Sequence, residues 1–108
     1  MKTAFPLLCA LAAGVWTPAL AQDQQVARAL AATCSSCHGT EGHSVGGVPP
    51  LAGRDRNDLI RQMNDFKAGK RPATIMHQIA RGYSDGEIVV LADYFSGIKP
   101  VPPPHDGY

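Results

Sequence analysis

Excess charge of one sign is missing from this chain. Ten Lys and Arg stand against nine Asp and Glu in 108 residues, and no like-charge run exceeds two residues. That excludes the basic arms and patches that bind nucleic acid or anionic membrane surfaces. Internal repeats are also absent. No apolar run is long enough to span a bilayer as a helix; the best, Ala4 to Trp16, falls well short. Cysteine is scarce, and its count of three is odd, which in a secreted chain calls for an explanation.

The N-terminus supplies one. Met1 and Lys2 form a short positive region, the apolar run follows, and Ala19-Leu20-Ala21 has the A-x-A form of a cleavage site. The pattern predicts a signal peptide over residues 1–21, removed on export to the periplasm, and Cys9 leaves with it. A mature chain from Gln22 keeps 87 residues, nine basic and nine acidic, with Cys34 and Cys37 as its cysteines. That is one small domain. Domains of this size bury little surface and lean on a disulfide, a metal or a cofactor.

The two remaining cysteines name the cofactor. Cys34-Ser35-Ser36-Cys37-His38 reads C-x-x-C-H, the attachment signal for c-type haem. On a helical turn, residues i and i+3 share a face. Two thiols so spaced can each form a thioether with one haem vinyl group, and the next residue, His38, can reach the iron from the same side. The competing readings are weaker. A thioredoxin-like pair needs a βαβ context, and no strand pattern precedes Cys34. Zinc needs two further ligands, with His43, His77 and His105 left to supply nitrogen. A disulfide between Cys34 and Cys37 is compatible with the compartment but does not explain His38.

The rest of the mature chain reads as helices. Val26, Ala27, Leu30 and Ala31 recur at helical spacing, with Asp23 as the predicted N-cap. Gly39, Gly42, Gly46 and Gly47 mark a loop backed by Pro49 and Pro50. Asp55 is the predicted cap of a helix carrying Leu59, Ile60, Met63 and Phe66, stopped at Gly69. A short helical piece follows around Met76 and ends at Gly82. The final helix has a capping box, Ser84 with Glu87, and an apolar stripe of Ile88, Leu91, Ala92 and Phe95. Gly97 and Pro100 end it, and residues 100–108 form a proline-rich tail. The resulting expectation is an all-α fold of three to five helices over residues 22–99.

A second axial ligand must return from elsewhere in the chain. Met63 sits on the apolar face of a predicted helix and reads as core. Met76 sits in a short irregular connection and is the predicted iron ligand opposite His38; thioether ligation suits a high-potential electron carrier. His77 is the rival, because its adjacency leaves a bis-histidine haem open. Arg54 and Arg56 are candidates to pair with a haem propionate.

Together these residues resemble the class I c-type cytochromes over almost the whole mature chain: Cys34, Cys37 and His38 after a first helix, then Pro49-Pro50-Leu51-Ala52-Gly53, then Met76, then a capped last helix with Tyr94 and Phe95. The resemblance implies one covalent haem and one-electron transfer without enzymatic turnover. It also implies that Pro49 offers its carbonyl to the Nδ1–H of His38, and that Leu30, Tyr94 and Phe95 make the crossing of the first and last helices. A narrower similarity, in Phe66 to Gly69, Ala73 to Met76 and Ile79 to Ser84, is to the haem subunit of flavocytochrome c sulfide dehydrogenases. Those subunits often carry two haem domains, and this chain has one C-x-x-C-H. The narrower similarity implies a flavoprotein partner. The alternatives are a freely diffusing periplasmic cytochrome of a respiratory or photosynthetic chain and, more remotely, a haem peroxidase or gas sensor.

Overall fold

The computed structural model describes residues 19–101. The body of the predicted signal peptide, and the tail beyond residue 101, lie outside the described residues. Five helices follow in order: α1 (Ala19–Ala32), α2 (Ser35–His38), α3 (Arg56–Lys67), α4 (Met76–Arg81) and α5 (Asp85–Ser96). A 3-10 turn over Thr40–Gly42 follows α2, and no strand occurs among the described residues. The all-α expectation holds.

Local chemistry accounts for most of the boundaries. Asp55 caps α3 by accepting from the N–H of Asp58 at 2.9 Å. At the other end the N–H of Gly69 bonds Phe66 O at 3.1 Å and that of Lys70 bonds Asp65 O at 2.8 Å, a complete Schellman closure. Helix α5 opens on the full capping box of Ser84 and Glu87. The start of α1 differs from the sequence reading. Asp23 lies inside α1 rather than at its cap. Alanine and leucine are the strongest helix formers, and nothing between Ala19 and Asp23 breaks the helix, so it extends upstream through the predicted cleavage site.

Helix α1 packs on α5, and α3 packs on both α4 and α5. The apolar stripe of α5 is buried as predicted: Ile88, Leu91, Ala92 and Phe95. Leu91, Ala92 and Phe95 join Ala31 of α1 and Leu59 of α3 in one cluster, with Leu30, Cys34, Leu51, Ile60, Tyr83, Tyr94 and Ile98 against its edge. Tyr94 meets Phe95 edge to face, 5.2 Å between centroids. These are the contacts expected of Leu30, Tyr94 and Phe95. The core is thin. Of the eight buried hydrophobic residues among those described, four are alanines, so these helices bury little of their apolar surface against one another.

Candidate functional site

The missing packing lies around a cavity of about 480 Å³ between α2, α3, α4 and α5, walled mostly by apolar side chains. All five site residues expected from the sequence line it: Cys34, Cys37, His38, Pro49 and Met76.

The first three come from one turn. Cys34 is the N-cap of α2, and its carbonyl accepts from the N–H of Cys37 at 3.3 Å and of His38 at 2.9 Å. The turn therefore presents both thiols and the imidazole to one side. Both thiols are free, Cys34 half-buried and Cys37 exposed. Burial pushes the Cys34 thiol above its ordinary range, while its hydrogen bond with Thr33 pulls the other way.

Pro49 is brought back to this turn by the glycine loop. The carbonyl of Gly42 accepts from Leu51 N at 2.9 Å and from Ala52 N at 3.2 Å, closing the loop at its base. Gly42 is buried with φ +77°, and a Cβ there would lie 2.9 Å from Ala52 N and from Leu51 Cβ. Only glycine satisfies both the conformation and the space. At the loop's far end His38 Nδ1 lies 2.7 Å from Pro49 O. A carbonyl oxygen can only accept, so Nδ1 carries the hydrogen, and in the neutral ring Nε2 keeps its lone pair.

Three expectations are corrected. Met76 does not sit in an irregular connection; it is the first residue of α4, with Ile75 as N-cap. Met63 is not core. It is half-buried on the cavity wall with Phe66, while Leu59 and Ile60 of the same stripe pack in and against the core cluster. Arg56 is turned away and pairs with Asp93 of α5. Arg54 does line the cavity.

His77, the rival ligand, is absent from the cavity wall. Its Nε2–H donates to the carbonyl oxygen of Arg71. Among the described residues no cluster of three or more His, Cys, Asp or Glu gathers, so the zinc reading finds no ligand set there.

Arg71 and Tyr83 also stand on the wall. Arg71 lines the cavity with its guanidinium 5.5 Å above the centre of the Phe66 ring. Tyr83 lines it as well, and its hydroxyl lies 2.6 Å from Thr33 Oγ1. Thr33 uses its own proton on Leu30 O at 2.9 Å, so Tyr83 is the donor. This bond ties the α4–α5 junction to the residue before Cys34. An isolated Arg carries no periodic or motif signal, so only its position in space reveals it; Tyr83 lies in the segment Ile79 to Ser84 already singled out by similarity.

Comparison with known proteins points to one family. The family profile described as "Cytochrome c" matches residues 24–98. The cytochrome subunit of sulfide dehydrogenase from Chlorobaculum tepidum is 33% identical over 106 residues, covering 92% of this chain and 96% of the relative. Cytochrome c4 of Pseudomonas aeruginosa is 38% identical over 80 residues, covering 73% of this chain and 40% of the relative. Among solved structures, reduced recombinant cytochrome c4 from Pseudomonas stutzeri superimposes with a TM-score of 0.67 at 30% identity, over 71% of this chain and 46% of that one. The chain thus spans less than half the length of these cytochrome c4 proteins.

The residues present fit haem c. Two free thiols at i and i+3 suit the covalent links, an imidazole has Nδ1 engaged by Pro49 O so that Nε2 is the nitrogen left for a metal, and mostly apolar side chains wall the cavity. The chain belongs to the cytochrome c family, whose members bind haem c covalently and carry electrons without being enzymes themselves.

Proposed function

We propose that this chain is a one-electron carrier in which Cys34 and Cys37 hold the haem by thioether bonds, His38 is the proximal ligand and Met76 the distal one. The observation that carries the reading is that these four side chains line one cavity, with Pro49 bonded to the ring of His38. Haem c supplies the reversible one-electron change of its iron. The remaining work belongs to the polypeptide. Pro49 O fixes the ring of His38 and its tautomer, and makes it a more basic ligand. Met76 offers a neutral thioether, which raises the potential. Leu59, Ile88 and Phe95 keep water from the inner wall, and an apolar wall disfavours added charge on the oxidised iron. Arg54 and Arg71 stand where guanidinium groups can pair with haem carboxylates.

We further infer that residues 1–21 are a signal peptide, that the cytochrome domain runs over 22–99 with a tail over 100–108, and that the mature protein works in the periplasm. The charged, apolar and A-x-A order of the N-terminus supports this. Among the described residues no helix is long and apolar enough to cross a membrane.

The donor in this reading is a sulfide-oxidising flavoprotein, with this chain as its electron-accepting subunit. The Chlorobaculum relative supports it, because 96% of that subunit's length is covered by this chain. A single-haem subunit therefore matches it in length. Likeness to the cytochrome c4 proteins favours the other reading, a free periplasmic carrier. Purification from the native source at moderate salt separates them. Co-elution with a flavin-bearing chain, and haem reduction on adding sulfide, is the expected result. A flavin-free monomer that sulfide reduces no faster than it reduces an unrelated c-type cytochrome overturns it.

A further inference from the structure

Residues 71–75 carry the chain from α3 to Met76 with almost no hydrogen bonding of their own. Among the described residues, no backbone bond outside the helices involves the N–H or C=O of residues 71–74. One side chain closes the span. The Nε2–H of His77 donates to the carbonyl oxygen of Arg71, six residues back. The same two residues meet again at Phe66 of α3. The His77 ring contacts the Phe66 ring edge-on at 6.1 Å between centroids, and the Arg71 guanidinium lies over the Phe66 face at 5.5 Å. The segment before Met76 is thereby closed at both ends and fastened to a helix of the scaffold.

We infer that His77 is a positioning residue for Met76: its bond to the Arg71 carbonyl holds the 71–77 segment shut, and so holds the thioether at the cavity wall. The inference rests on the reading of Met76 as distal ligand. A span of this length without internal hydrogen bonds recovers much conformational freedom when its closing contact is lost. Opening it withdraws Met76 and leaves the haem accessible to an outside ligand. Phe66 supplies the surface on which the closure is made, so the bond and the ring contact act together.

The test uses the ferric, haem-bearing protein with imidazole as a competing ligand, followed by loss of the weak red iron–sulfur charge-transfer band. His77→Phe keeps a ring on Phe66 and removes the donor. His77→Gln keeps an N–H of similar reach. Should His77→Phe fail to accumulate, His77→Asn, too short to reach the carbonyl, takes its place. The imidazole concentration that abolishes half the band should fall about fivefold in His77→Phe, the effect of one net hydrogen bond, and stay within about twofold of wild type in His77→Gln. An unchanged His77→Phe overturns the inference, and so does a His77→Gln as weakened as His77→Phe. Met76→Ala separates the two readings. Loss of the band there together with a wild-type His77→Phe defeats the positioning role alone. Survival of the band there defeats the ligand assignment, and the inference with it.

Discussion

The ring of His38 and the carbonyl of Pro49, eleven residues apart, meet at 2.7 Å. This bond links the one turn that carries Cys34, Cys37 and His38 to a loop that otherwise lies on the surface. Its length depends on how the loop is closed, and the loop is closed at Gly42.

The first prediction follows from that closure. Gly42→Ala should lower the stability of the haem-bearing protein by about 2 kcal/mol, through a left-handed backbone conformation and a crowded Cβ acting together. Gly46→Ala, in the same loop with nothing within 4 Å of the added Cβ, should stay within about 0.5 kcal/mol of wild type. Denaturant melts followed at the haem band measure both. Equal effects at the two positions would show that the loop closure does not matter.

Covalent attachment can be read directly. The intact mass of the exported chain should exceed that of its polypeptide by one haem, motivated by the pair of free thiols on the cavity wall. The colour should stay with the protein on acid–acetone extraction. Extractable haem would rule out the thioether links at Cys34 and Cys37.

Two methionines line the cavity, and substitution distinguishes them. Met76→Ala should abolish the iron–sulfur band and lower the reduction potential, because a thioether ligand favours reduced iron. Met63→Ala should keep the band and lose only a piece of the wall. The reverse pattern would transfer the ligand role to Met63.

The thin core makes a prediction about folding. With four alanines among eight buried hydrophobic residues, the helices lack enough mutual burial to hold the fold around an empty cavity. The double variant Cys34→Ala, Cys37→Ala, made without haem, should give a largely unfolded far-ultraviolet circular dichroism spectrum. A cooperative, native-like melt in that variant would show that the polypeptide folds alone.

Much of this was legible in the sequence because it is local. The C-x-x-C-H spacing requires a single helical turn and no more, so Cys34, Cys37 and His38 share a face whatever surrounds them. Asp55 and the Ser84–Glu87 box act within three residues of themselves. The stripe of α5 has one buried face, and all four of its expected residues occupy it. Asp23 misled because cap signals are read against an assumed start, and the strong helix formers before it shift that start upstream.

Local sequence therefore accounts for the helices, most of their ends, and the attachment turn. Each rests on residues three or four positions apart, where backbone geometry permits little choice. Which side chains share the cavity is set by contacts between distant parts of the chain. Met63 and Met76 are indistinguishable as methionines. That both reach one wall while His77 turns to the Arg71 carbonyl, and Arg56 turns to Asp93, depends on how α3, α4 and α5 are set against one another. That arrangement is governed by packing between residues far apart in the chain. Burial and shape there select among side chains that are chemically equivalent in the linear sequence.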